Sequence, residues 1–240
     1  MAYSDITLND RSAVKRWLQR RRFADALQAL DGRLDDQQQI LDFGAGDGEL
    51  VRRIVAGYPR YQAWLYEPTP YLMAEARRKL AGLQQVIFAE SLASLEAESF
   101  DYVFCLEVFE HLPPAETQAT IGAIHRLLKT GGRAVIGVPC EIFLPAFGKG
   151  VFRMFRRYGE FDAKPRNILA ATFGRPPAQR PVAEIATGFA YHFHHLGFDF
   201  RALEKQLSAF FNISRKWFSP FPVGGAWFNS EVYFCCEKSY

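Results

Sequence analysis

Cysteine is scarce: four stand in the 240 residues, and no two have the C-x-x-C spacing of a zinc site. Cys105 and Cys140 lie alone in apolar segments and Cys235 and Cys236 are adjacent, so neither a disulfide framework nor a zinc-stapled fold is expected. An excess of one charge is also missing. The 29 Lys and Arg oppose 26 Asp and Glu, for a formal net charge of +3, too little to argue for nucleic acid. No apolar run approaches the roughly 18 residues that a membrane span needs. The N-terminal MAYSDITLNDRSAVKRW has no apolar leader core, and internal repeats are absent. The expectation is a cytoplasmic protein without a transmembrane segment.

What is present is an ordinary globular composition, 49% hydrophobic and 23% charged, with 22 Phe. A chain of this length buries one sizeable core, so a single domain is expected. Residues 1–36 form its helical cap, 38–139 its core, 140–198 an insertion and 199–240 a closing helix and two strands. The cap reads as a basic helix over 12–30 anchored by Val14, Trp17, Leu18, Phe23, Leu27 and Leu30. Apolar strand-like runs then alternate with helical periodicity. Strands are expected at 38–43, 63–67, 85–89, 101–107 and 133–138. Between them, one helix ends at Gly57. Another is capped by Thr69 with Pro70 first. A third has Ile121, Ile124 and Leu128 inward and stops at Gly131-Gly132. Continuous apolar strands between helices indicate a parallel sheet covered on both faces, a doubly wound α/β fold. The stretch 140–195 is expected to hold only short helical pieces. Asp199 then caps a helix with Leu203, Leu207 and Phe210 on one face, and strands at 210–218 and 231–237 form a terminal antiparallel hairpin, seven strands in all.

LDFGAGDGEL carries the strongest signal. Gly44, Gly46 and Gly48 join the first strand to a helix, where glycines permit a tight turn and close approach of a ligand. The third glycine comes two residues after the second, unlike the G-x-G-x-x-G of dinucleotide binders. Asp42 adds a carboxylate where a pyrophosphate would lie, favouring a ligand with an ammonium or sulfonium group. Glu67 ends the second strand, the usual place for an acid that accepts hydrogen bonds from a ribose.

In these motifs, and in LYEP, FAES, FDYVFCLEVFEHLP and LKTGGRAVIGVP in that order, the chain resembles the class I S-adenosylmethionine-dependent methyltransferases, nearest to the broad group that includes the quinone-biosynthesis O-methyltransferases. The resemblance is close over 38–139. It implies a Rossmann-like methyltransferase fold with S-adenosylmethionine as cofactor. Asp42, Phe43, Gly44, Ala45 and Gly46 would hold the methionine part, and Glu67 with Pro68 the ribose. Glu90 and Ser91 would lie beside the adenine, and Leu106 and Glu107 near the sulfonium.

Glu107, Glu110 and His111 form E-x-x-E-H. On a helical turn these share a face, and three readings stay open: a divalent cation site, a base or acceptor contact from His111 with Glu107, or a structural turn. No metal is expected. A second histidine cluster, YHFHHLGFD, places His192 and His194 at the border of an acceptor pocket in comparable family members. The insertion interleaves Arg and Lys with Phe and with Tyr158. That pattern suits a small-molecule, glycan or lipid-linked acceptor carrying a phosphate or carboxylate, or a peripheral membrane contact, or a solvated basic face over a local Phe core. DNA is not an expected partner. RNA methylation assisted by a metal, and a non-catalytic cofactor-binding subunit, are the competing readings.

Overall fold

The computed structural model describes residues 13–30, 38–186 and 189–239. The expected start of the first helix, and the rest of the 1–36 cap, lie outside the described residues; of Val14 only the helical backbone is described. The helix α1 spans Ala13–Leu27. Then come β1 (Gln39–Phe43), α2 (Glu49–Gly57), β2 (Gln62–Tyr66), α3 (Pro70–Lys79), β3 (Val86–Ala89), β4 (Phe100–Leu106), α4 (Pro114–Leu127) and β5 (Leu128–Pro139). The insertion carries α5 (Phe143–Arg157), α6 (Pro165–Thr172), β6 (Ala183–Ala186) and β7 (Phe189–Tyr191). The chain closes with α7 (Phe200–Leu207), β8 (Asn212–Ser219), the short α8 (Gly225–Phe228) and β9 (Glu231–Glu237).

Seven strands make one sheet in the order β3-β2-β1-β4-β5-β9-β8. β1 to β5 run parallel, whereas β9 is antiparallel to β5 and β8 to β9. The doubly wound α/β reading therefore holds, hairpin included. Period-two alternation sorts the side chains of each central strand between two cores. Leu41, Val103 and Ile136 join one face with Ile121, Ile124 and Leu203 of the covering helices. Ile40, Phe104 and Val135 join the other with Leu50, Val51 and Ile54. Each fully buried side chain of this kind contributes about 1.5–3 kcal/mol. The chain order reverses between β1 and β4, and the carboxyl ends of the strands at such a switch point are the usual ligand position in these sheets.

Five local expectations are corrected. Trp17 is exposed, and α1 instead rests on the core through Ala26 near its C-terminal end, with Ala29 and Leu30 of the following turn. The helix α4 ends at Leu127, and Leu128 is already a strand residue opposite Phe100. Gly131-Gly132 does not stop a helix but lies within β5, where the register jumps from Phe100↔Leu128 to Tyr102↔Arg133. A Cβ on Gly132 would sit 2.8 Å from the Lys129 carbonyl. Phe210 lies past α7 and is exposed, while Phe211 takes the buried position. The insertion holds a 15-residue helix, α5, not only short pieces. Asp199 caps α7 as expected, its Oδ1 accepting the Arg201 amide at 3.0 Å.

Candidate active site

The loop after β1 is shaped by its three glycines, all with left-handed backbone: φ +75° at Gly44, +56° at Gly46 and +76° at Gly48. Their surroundings differ. A Cβ on Gly44 would lie 2.5 Å from Val108 Cγ2, and one on Gly48 would lie 2.7 Å from Leu80 Cδ1. A Cβ on Gly46 would meet nothing within 4 Å. Gly44 and Gly48 therefore serve packing, and Gly46 leaves open space above the loop for a ligand. The Gly44 and Ala45 amides donate to the Tyr66 carbonyl at 2.8 and 3.1 Å, sewing the loop to the end of β2.

Glu67 completes the cradle. One carboxylate oxygen accepts the Gly46 amide and the other the Thr69 amide, both at 2.8 Å. Thr69 occupies the N-cap of α3 without a side-chain cap bond; its side chain bonds back to Glu67 instead, which corrects the expected capping role. Burial raises the Glu67 carboxyl above its ordinary range. Pro68 is exposed beside it.

Asp42 is buried, and its Oδ2 has no hydrogen-bond partner. Burial first, then the negative charges of Glu67 and Asp47, push its carboxyl up to about 8. A buried, unpartnered acid of this kind is stabilised by an arriving cation. At the tip of β3, Glu90 is exposed and paired with Arg77 of α3, and Ser91 Oγ accepts the Ser94 amide at 3.2 Å, closing a turn.

β4 ends at half-buried Leu106, followed by Glu107 in the left-handed region at φ +57°. For a residue with a Cβ this costs on the order of 1 kcal/mol. The Glu107 amide donates to the Gly137 carbonyl at 2.9 Å. Burial and the nearby Glu231 and Glu110 raise the Glu107 carboxyl far above normal, opposed by Arg22. Arg22, on α1, was not singled out from the sequence, where it is one of three consecutive arginines. Its guanidinium lies 3.2 Å from Glu107 Oε2 and 2.7 Å from Glu231 Oε1.

The E-x-x-E-H segment is divided by the structure. Glu107 is drawn to Arg22, while Phe109–His111 forms a tight 3-10 turn. Glu110 is fully buried, neither carboxylate oxygen has a hydrogen-bond partner, and burial pushes its carboxyl up to about 8. His111 Nδ1 is 2.8 Å from the His192 carbonyl, which can only accept, so Nδ1 carries the proton and Nε2 holds a free lone pair. Burial lowers the His111 imidazole to about 4, leaving it neutral. Its ring stacks on Tyr191 at 4.3 Å and meets His195 edge-on at 4.7 Å. Among the described residues, Glu110, His111 and His195 offer ligand atoms within 4.8 Å of one another, a two-histidine, one-carboxylate set suited to a divalent transition metal. His195 thus joins this group in place of Glu107. His192 is buried, with Nδ1 2.9 Å from the Pro181 carbonyl. His194 turns to Asp162 at 3.3 Å, and Tyr158 projects into solvent at the end of α5.

Behind this group the insertion is anchored by a buried ionic network. Glu141 and Asp162 are fully buried. Lys149 and Arg153 reach Glu141 at 2.9 and 3.0 Å, and Arg153 and Arg157 reach Asp162 at 3.3 and 2.5 Å. Burial alone would raise the Glu141 carboxyl, but the two cations override it and hold it at about 2.

Residues 41–134 match the family model described as a methyltransferase domain. Two curated relatives are ubiquinone biosynthesis O-methyltransferases, from Pseudomonas syringae at 28% identity and from Pseudomonas putida at 31%, each aligned over 148 residues. Each match covers 54% of this chain and 63% of the relative, so the chain spans less than two thirds of those proteins. The fold is similar to that of magnesium protoporphyrin IX methyltransferase from Synechocystis, solved with S-adenosylhomocysteine, with a TM-score of 0.60 at 17% identity over 95% of this chain and 88% of that one. Residues 41–134 therefore carry a methyltransferase domain, and the glycine loop and strand order around it are similar to those of S-adenosylmethionine-dependent methyltransferases.

Proposed function

We propose that this chain transfers the S-methyl group of S-adenosylmethionine to a small-molecule acceptor, glycan- and lipid-linked compounds included. The observation that carries the reading is Asp42, a buried acid with an unpartnered oxygen beside the open space over Gly46. The residues fit the cofactor: a cationic ligand would restore the charge that burial suppresses on Asp42, and Phe43 to Gly46 would line its methionine part. Glu67 keeps further lone pairs for ribose hydroxyls while holding the Gly46 and Thr69 amides. Glu90 and Ser91 would border the adenine, with Leu106 and Glu107 closing the sulfonium side. When bound, the cofactor supplies an electrophilic methyl group, so the protein's task is alignment and exclusion of water.

His111 is the residue best suited to the acceptor. It is neutral, its tautomer is set by the His192 carbonyl, and Nε2 presents a lone pair that can take a hydroxyl proton. Relatives named as O-methyltransferases support an oxygen acceptor. The test is calorimetry with S-adenosylhomocysteine followed by turnover across phenolic and other hydroxyl acceptors. Micromolar cofactor binding is expected, reduced at least tenfold in Glu67→Ala. His111→Ala is expected to keep cofactor binding while losing about 100-fold in kcat. Unchanged affinity in Glu67→Ala would refute the site.

A second reading, metal-assisted methylation of RNA, is favoured by the Glu110, His111 and His195 group. Magnesium- or manganese-dependent turnover with salt-sensitive RNA binding would mark it.

A further inference from the structure

The helix α5 is amphipathic with its polarity inverted. Three of its four cations, Lys149, Arg153 and the partly exposed Arg157, reach the buried carboxylates of Glu141 and Asp162. Its apolar stripe, Leu144, Phe147, Val151 and Phe155, recurs at the three- and four-residue spacing of one helix face. Leu144, Phe147 and Phe155 on that stripe are exposed, Phe155 to 86%. On the neighbouring α6, Leu169 is exposed, as is Phe173 just beyond it. The helix cannot roll over to bury this face without stranding two fully buried carboxylates, so the outward display of phenylalanine is enforced.

Exposed charge around this face is predominantly positive. Arg156, Lys164, Arg166 and Arg175 are exposed, and from 143 to 175 the only exposed acid is Glu160. A contiguous apolar surface edged with cations fits an anionic bilayer, into which such a helix sinks its apolar side while basic residues meet the headgroups. A second copy of the chain fits less well, because its matching face would bring four cations against four cations.

We infer that α5 and the edge of α6 form a docking face for an anionic lipid surface. α5 starts four residues after β5 ends at Pro139, on the rim where the strand tips form the site, so docking holds that rim against lipid. The inference is independent of the reading of the cofactor site, because vesicle binding is measured without cofactor.

The test is co-sedimentation of the whole chain with vesicles of equal phosphatidylglycerol and phosphatidylcholine, against phosphatidylcholine alone. Wild type is expected to partition onto the anionic vesicles and to be released by high salt. Phe147→Glu with Phe155→Glu is expected to lower that partition at least tenfold, and Arg156→Glu with Arg166→Glu severalfold, with circular dichroism unchanged. If the phenylalanine pair misfolds, Phe155→Ser alone, at the most exposed position, is read in its place. The inference is overturned if wild type stays in the supernatant with anionic vesicles, or if the phenylalanine variants sediment as well as wild type. It is equally overturned if light scattering shows a dimer that these variants abolish, which would give the face to a second copy.

Discussion

Arg22 Nη1 lies 3.2 Å from Glu107 Oε2, tying the N-terminal helix to the strained residue at the tip of β4. The same guanidinium holds Glu231 at 2.7 Å, so one cation serves two acids from distant parts of the chain. Removing it leaves both crowded and unpaired. Arg22→Met is expected to cost about 2 kcal/mol, less than for a fully buried pair because these side chains keep some solvent access. Chemical denaturation of wild type and variant measures it, and equal midpoints would show the pair to be energetically idle.

The three glycines of the first loop are expected to respond differently to the same change. Gly44→Ala drives a methyl group into Val108 and should destabilise the fold by about 2 kcal/mol, combining overpacking with a left-handed backbone. Gly46→Ala has open space around it and should cost about 1 kcal/mol of stability while lowering cofactor affinity tenfold or more. Thermal melts paired with calorimetry separate the two. Equal affinity in Gly46→Ala and wild type would mean that no ligand approaches this backbone.

Cofactor affinity should rise with pH. The Asp42 carboxyl is pushed up to about 8 by burial and by neighbouring acids, so below that pH it is mostly protonated and a cation must displace the proton. Affinity is expected to increase severalfold between pH 6.5 and 8.5 and then level, with proton release at pH 7. Asp42→Asn should bind more weakly at pH 8.5 and lose the pH dependence. Calorimetry in buffers of different ionisation enthalpy reads both effects, and a flat profile in wild type would contradict the role given to Asp42.

Glu110 sets the opposite trend for stability without ligand. Its folded value near 8 exceeds the ~4.5 of an unfolded glutamate. The unfolded chain therefore holds fewer protons, and stability falls as pH rises toward 8. His111, held near 4, adds stability between about 4 and 6.5, so the window from 6.5 to 9 isolates the carboxyls. Glu110→Gln is expected to flatten the decline there by about 2 kcal/mol. Melting temperatures at pH 6.5 and 9 test this, and parallel curves for variant and wild type would exclude Glu110 as the source.

The parallel core was legible because each strand is a nearly continuous apolar run and most of the connections carry glycine or proline. The glycine loop was legible for the same reason: its chemistry is local. What escaped depended on partners far along the chain. Nothing near Arg22 distinguishes it from Arg20 and Arg21; only Glu107 and Glu231, brought over by the fold, select it. α5 contains Pro145, Gly148 and Gly150, which read as breakers, yet Gly150 lets Ile168 approach to where a Cβ would be 2.6 Å away. The grouping of His195 with Glu110 and His111 depends on how the insertion folds back, and spacing along the chain does not reveal it.

β5 hands the chain to the insertion at Pro139, and Asp199 begins the helix that returns it to the sheet. The intervening segment owns a small core, in which Ala146, Ile168, Ala171 and Leu196 pack together, as well as its own ionic anchor. On the proposed function, grafting another segment between those two anchors is expected to redirect which acceptor is chosen while cofactor affinity is kept.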